Sequence, residues 1–393
     1  MKEIYSNVNI IGGGLIGASV AHSLSLLGFK ITILEKNDSY DSKRYEDNRT
    51  IAISEGTKIF LEEINLWKSI KNFTQPIKKI KVIDRKISNK LEFDNFRRGS
   101  NLGYIVKNKH VLNCLYKKLS QNKNIKIFNK SNIKSFATKE DTIITYLKNY
   151  SILADLNIAA DGKSSFVKKF LKTPSFNKNY NKSALVLTFA HSENHNGNAF
   201  EFFYKNGPLA ILPMKSLNNE FLSSIVWTDN KKYIEQVSKL NNKNLVSILN
   251  QNTQNVVGNI NKIITKKIFP ITAHINTIFY DNRTIYIGDA AHSFHPIAGQ
   301  GWNLGMKDVE NLYNLVKKYK SIGIDIGNIS FCKQYHSDNF YNAYKLYQLT
   351  DKLDNIFQIQ NSIFSFGRSA GLSFIQKNKK INNIISDFAM GIN

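Results

Sequence analysis

IYIGDAAHSFHPIAGQGWNLGMKD, residues Ile285–Asp308, is the stretch on which the fold turns. An apolar run, IYI, ends in Gly288-Asp289, and a glycine-rich turn then opens what reads as a helix. α/β proteins use this arrangement to aim backbone N–H groups and one carboxylate at a phosphorylated cofactor. Far upstream lies its partner, VNIIGGGLIGAS, residues 8–19. Either motif alone is weak. Two of them at opposite ends of the chain, differing in detail, point to one long cofactor gripped at several places.

In the upstream motif, Gly12-Gly13-Gly14-Leu15-Ile16-Gly17 fits G-x-G-x-x-G between a predicted strand, Val8–Ile11, and a predicted helix from about Leu15 to Leu27. Gly12 permits the tight turn, Gly14 lets backbone approach a pyrophosphate, and Gly17 allows helix to pack on strand. A second strand, Lys30–Leu34, ends at Glu35, 18 residues beyond Gly17 and near the roughly 20-residue offset of a ribose-binding acid. An acid there favours FAD or NAD over NADP and does not separate the first two.

The polar stretch 38–48 reads as a loop, and Ser54 as the N-cap of a helix to about Leu66 with Ile59, Phe60 and Ile64 on one face. Strand-like runs follow over 77–94, then an amphipathic helix, Val111–Leu119, and short strands at 125–128, 133–137, 142–147 and 156–160. Residues 183–228 change character: ALVLTFAH, NAFEFFYKN, GPLAILPM and FLSSIVWT read as successive antiparallel strands. Helix returns over Lys231–Asn250, the first domain resumes near Ile271, and the chain beyond Gly301 is mostly helical. The predicted fold class is therefore α/β: a Rossmann-like domain (1–75, 97–180, 271–325), an inserted antiparallel sheet (76–96, 181–270) and a helical C-terminal region (326–393).

With 54 basic against 30 acidic residues the formal charge is +24. Lys far outnumbers Arg and Asn is abundant, a compositional drift; no basic arm interleaved with aromatics indicates nucleic acid, and an anionic lipid surface is the other reading. No apolar run approaches the ~18 residues of a membrane span, and Val8–Ile11 runs straight into the glycine motif rather than forming a signal peptide. Cys114 and Cys332 have no redox or metal spacing, so a reducing, cytoplasmic compartment is expected.

Three further places carry candidate chemistry. Arg49 in DNRTIAIS follows the loop that leaves the nucleotide strand. Asp161-Gly162 closes a strand whose C-terminal end faces the ligand crevice of such a sheet. Asp289, His292 and His295 do not have helical zinc spacing; Asp289 is expected to accept from a ribitol or ribose hydroxyl, with no metal. The loop through Pro296, Gly299 and Gln300 delivers a helix N-terminus at Gly301, Trp302 and Asn303, whose N–H groups favour an anion such as a reduced flavin.

Together these stretches resemble the FAD-dependent aromatic hydroxylases, class A flavoprotein monooxygenases, and more closely their ubiquinone-biosynthesis branch of the 2-octaprenylphenol hydroxylase type. GGGLIGAS, DNRTIAIS, LGYIVKNKHVLNCL, AADGKSSFVKK, GPLAILPM with SSIVW, IGDAAHSFHPIAGQGWNLGMKD and the C-terminal FGRSAGLSFI and FAMGI follow that branch in order, across essentially the whole chain. The resemblance implies that NAD(P)H reduces FAD and that oxygen reaches a polyprenylated phenol through a flavin C4a-hydroperoxide. It implies FAD contacts from Gly12, Gly14, Gly17, Glu35, Arg49 and Asp289. Pro296 and Gly299–Asn303, including Gln300, would lie by the ring, and Phe203, Leu209 and Trp227 would line an apolar substrate channel. The chain departs from the pattern at Lys107, where the family often carries an acid. A lipid-borne substrate implies peripheral docking on an anionic membrane and contact with quinone-synthesis proteins. Another FAD oxidoreductase of this fold, such as a prenyl reductase or oxidase, and a non-catalytic assembly subunit are the alternatives.

Overall fold

Four strand ends line up along one edge of a mainly parallel sheet, and that alignment positions everything else. The computed structural model describes residues 2–38, 49–84, 90–94, 101–294 and 301–358. Its first strand, Lys2–Ile11, is longer than the apolar run predicts; the added KEIYSN stretch is largely solvent-accessible and only Val8–Ile11 reads as core. This strand pairs in parallel with Ile31–Leu34 on one side and Tyr150–Ala159 on the other. Ile125–Phe128 and Thr284–Tyr286 extend the sheet in parallel at its two sides. Parallel strands present their C-terminal ends to the same edge, so the loops after Ile11, Leu34, Ala159 and Tyr286 converge there.

The second sheet runs in the order 292–293, 260–276, 175–191, 220–230, 207–217, 198–204, 79–84, 90–94. All neighbours are antiparallel except Asn198–Tyr204 with Lys79–Asp84. The domain limits read at 180/181 and 270/271 fall inside two continuous 17-residue strands, Ser175–His191 and Ile260–Asn276, which pair along their length. One face of this sheet is covered by two helices, Lys231–Lys239 and Asn242–Thr253, whose Ile234, Val237, Leu245 and Leu249 pack on Leu185, Leu187, Leu209 and Trp227. The single helix expected over 231–250 is therefore two, because Asn241 interrupts it and caps the second by accepting from Asn244 N–H at 2.9 Å. The other face meets a small sheet of Thr50–Ser54, Gly103–Lys107 and Gln75–Ile77 through Met214, Leu222, Ala190, Ile77 and Ile105.

Ser54 caps Glu55–Glu63 as expected, accepting from Thr57 N–H at 3.2 Å. Ile59 does not share the buried face: it is 54% exposed while Phe60 and Ile64 are fully buried, since adjacent helical positions point about 100° apart. Two helices, Gly301–Ser321 and Ile329–Gln358, close the described chain. Arg283, 5% exposed, ties them to the sheet by donating to Asp325 Oδ2 at 2.6 Å and to the carbonyls of Asp155 and Glu140.

Candidate cofactor and substrate site

The glycine turn after Ile11 is built from both sides. Gly12 has φ +104°, and a Cβ there would lie 2.4 Å from Ala160 O, so only glycine fits. Gly17 is equally constrained, because a Cβ would sit 1.9 Å from Gly12 O. Gly13 between them is clamped: its N–H donates to Glu35 Oε2 at 2.7 Å and its carbonyl accepts from Tyr116 Oη at 2.8 Å. Gly14 is the N-cap of Leu15–Leu26, and no side chain caps the helix. A Cβ on Gly14 would meet no protein atom within 4 Å, although this glycine heads a buried helix. A Cβ on Gly301, at the head of the other helix, would likewise meet no atom of the described residues within 4 Å. Uncapped first-turn N–H groups facing open space make a place for an anion.

The two signatures touch. Ile16 packs against Gly288 and Gly305, where a Cβ would approach its side chain to 3.0 and 2.8 Å respectively. Gly288 N–H donates to Asp308 Oδ2 at 3.0 Å, and His292 Nε2 bonds the same oxygen at 2.7 Å. Asp308, 1% exposed, thus holds the Gly288-Asp289 turn in shape and spends His292 on structure. Asp289 is left pointing outward. Its side chain is solvent-accessible yet crowded by protein atoms, and that crowding raises its carboxyl, with His292, Lys163 and Arg49 pulling the other way. Residues 49, 163 and 289 are therefore close enough to interact electrostatically, although the sequence separates them widely.

Asp161 does not point freely into the ligand crevice. Its Oδ2 accepts from Phe166 N–H at 2.6 Å and Val167 N–H at 3.2 Å, capping the short helix Phe166–Phe170, while Oδ1 is buried without a partner. Burial raises its carboxyl. Gly162 does take the expected turn conformation, with φ +79°. Lys163 was not anticipated; its Nζ donates to Thr272 O at 2.8 Å, and the short polar turn KSS gave no sign of a partner.

The Asn303 side chain is committed elsewhere. It accepts from Ser54 N–H and Thr57 Oγ1, both at 3.0 Å, and donates to Ala52 O at 2.9 Å, bracing the helix on strand Thr50–Ser54. Only its backbone remains for the expected role at the ring. Trp302 has its Nε1 buried without a partner. His295, Pro296, Gly299 and Gln300 lie outside the described residues. Lys107 is half-buried at the N-cap of Asn108–Ser120, and burial lowers its ammonium pKa.

Of the substrate residues expected, Leu209 and Trp227 lie on the helix-covered face of the sheet. They lie in the helix-covered core with Ile234 and Leu245, at 0% and 3% exposure. Phe203 points to the other side, since strand side chains alternate and Phe200 and Phe202 belong to that core. The face turned toward the flavin half is the one carrying Ala184, Val186, Glu201, Ala210 and Val226. Arg49, from the flavin half, lies over Phe269 of this sheet at 5.3 Å. Glu201 is the unexpected residue there; burial pushes its carboxyl up to about 7.

The two nucleotide signatures pack together beside a broad antiparallel sheet. The chain belongs to the family described as FAD binding domain, whose model matches residues 5–320, and FAD is its cofactor. Over 99% of its length it is 27% identical to the ubiquinone biosynthesis monooxygenase COQ6, mitochondrial, of Dictyostelium discoideum, covering 92% of that protein. It is 25% identical to the ubiquinone hydroxylase UbiL of Rhodospirillum rubrum, covering 98% of this chain and 90% of that one. These relatives bear out the resemblance read from the sequence to FAD-dependent hydroxylases of ubiquinone biosynthesis. Among solved structures, p-nitrophenol 4-monooxygenase PnpA from Pseudomonas putida DLL-E4 superposes with a TM-score of 0.81 at 15% identity, covering 100% and 99% of the two chains. HpxO from Klebsiella pneumoniae complexed with FAD superposes at 0.74 and 14% identity, over 99% of each chain. These likenesses establish the fold. Among the described residues no helix is long and apolar enough to cross a membrane.

Proposed function

We propose that this chain is an FAD-dependent monooxygenase that hydroxylates the aromatic ring of a polyprenylated phenol in ubiquinone biosynthesis, taking electrons from NAD(P)H. One observation supports it above the rest: both nucleotide signatures converge on a crevice whose far wall is the open face of a second sheet. A ring system held there would lie between the cofactor loops and the sheet face, which would serve as its substrate floor. The names of the COQ6 and UbiL relatives supply the reaction class and pathway.

The residues fit FAD. The open space over Gly14, at an uncapped helix start, is where the pyrophosphate would sit, and the helix start at Gly301 is where the ring's polar edge would sit. Glu35, already fixed by Gly13, is the acid for the adenosine ribose, and Asp289 the acceptor for a ribitol hydroxyl. Arg49 and Lys163 offset the charge of phosphate and carboxylate at the crevice. The Trp302 indole N–H is a donor still seeking an acceptor. When bound, the flavin supplies oxygen activation; the chain orients the ring and keeps water out. An apolar substrate, together with the +24 charge, favours peripheral docking on anionic lipid over compositional drift alone.

The test begins with the visible spectrum of the purified protein and identification of the released chromophore. NAD(P)H consumption is then measured with and without a short-chain prenylphenol, and products are analysed. A hydroxylated ring with substrate-dependent oxidation supports the reading. A reduced prenyl chain, or no turnover with bound FAD, favours the reductase or assembly-subunit alternatives. Flotation with anionic liposomes decides the docking, and retention in the soluble fraction at low salt refutes it.

A further inference from the structure

The open face of the second sheet carries an acid, Glu201, within a stripe of small apolar side chains that ends at Lys267. Directly paired residues run Val82, Glu201, Ala210, Val226, Val186, Lys267 across six strands, and paired residues point to the same face. The first five are all partly accessible, whereas Pro208, Thr228 and Ala184 in the row beside them are buried. The stripe is therefore a shallow trough. At about 4.8 Å per strand spacing it extends roughly 19 Å from Val82 to Val186 before reaching exposed Lys267. Among the described residues Glu201 has no hydrogen bond or ion pair, and crowding by protein raises its carboxyl pKa. An acid held in such surroundings without a partner is unfavourable unless a ligand completes it.

We infer that this trough binds an elongated apolar molecule carrying one ring hydroxyl, and that Glu201 anchors it by accepting the hydroxyl's hydrogen bond. This rests on the monooxygenase reading above and adds the substrate's orientation: head at Glu201, apolar tail along Ala210, Val226 and Val186 toward Lys267. The flanking side chains explain the choice of ligand. Ala and Val leave room for a flat ring or a methyl-branched chain, and none competes for the hydroxyl. A polar or charged tail would lie against apolar groups for most of its length.

The experiment uses holoenzyme and two probes, a geranyl-substituted phenol and its methyl ether, with binding read from the perturbation of the flavin absorption band. Wild type is expected to bind the phenol about tenfold or more tightly than the ether, the difference made by one hydrogen bond to a charged acceptor. Glu201→Gln keeps the shape and should cut that preference severalfold, and Glu201→Leu should abolish it while leaving ether binding intact. Flavin content at wild-type level in both variants establishes that they fold. If the variants keep the wild-type preference, Glu201 is not the anchor although the monooxygenase reading stands. If wild-type holoenzyme binds neither probe, the trough is not a prenylphenol site and both readings fall. Val186→Lys, placed under the tail, should weaken both probes equally; an unchanged affinity would refute the direction of the tail.

Discussion

Replacing Gly14 by valine separates the cofactor from the fold. The residue has φ −69° and ψ −173°, extended backbone that valine adopts freely, and its Cβ would meet no protein atom within 4 Å. As an N-cap, glycine is better than valine by about 0.5–1 kcal/mol, so the apo-protein should lose only that much stability. Bound FAD would feel a larger effect. The new side chain occupies the space through which a pyrophosphate reaches the first-turn N–H groups, and losing two charge-assisted hydrogen bonds costs about 3–6 kcal/mol, or roughly 10²–10⁴-fold in affinity. Gly12→Ala is the contrast: with φ +104° and Ala160 O at 2.4 Å it should damage the turn itself and lower stability with or without flavin. The assays are fluorescence titration of apo-protein with FAD and thermal melts followed by circular dichroism. A Gly14→Val protein that binds FAD as wild type does, or that melts as low as Gly12→Ala, would refute the reasoning.

Three other outcomes are expected. Asp289→Ala removes the outward carboxylate of the second signature and should weaken FAD retention about tenfold or more, read by dialysis and absorbance; unchanged retention would remove it from the site. Arg283→Met leaves Asp325 and two carbonyls without their donor and should cost about 3 kcal/mol in urea unfolding, with a loss under 1 kcal/mol counting against a structural tie. His274, 3% exposed, has its pKa lowered to about 3 by burial and by Lys168, His292 and Lys163. The unfolded chain takes up a proton below pH 6.5 that the folded chain refuses, so stability is lost as pH falls from 6.5 toward 3. The loss is about 1.4 kcal/mol per pH unit, and His274→Gln should flatten the slope between pH 6.5 and 5.5 relative to wild type.

What the sequence disclosed and what it hid divide along physical lines. Gly12, Gly17 and Gly162 were legible because a backbone angle or close approach is a local demand. Ser54 was legible because its bond spans three residues. Asp308, Tyr116 and Lys163 were not: each acts on a partner brought close only by the tertiary fold, from positions where an ordinary polar side chain would read the same. The face taken by Leu209 and Trp227 was not legible because strands of this sheet are apolar on both faces, which removes the alternation that assigns a face. The same ambiguity concealed Glu201, whose neighbours Phe200, Phe202 and Phe203 make it look like an incidental polar break.

The two 17-residue strands have a consequence for how this protein can change. Ser175–His191 and Ile260–Asn276 run from the wall beside the cofactor to the substrate trough as paired strands, with register shifts at Asn179/Lys182, Thr188/Phe189 and Ala190/His191. The spacing between crevice and trough is fixed in whole residues, like teeth on a rack. A single deletion in either strand would shift everything beyond it by about 3.3 Å and turn its side chains to the opposite face. New substrates are therefore reached more readily by swapping side chains along the trough than by altering the length of its supports.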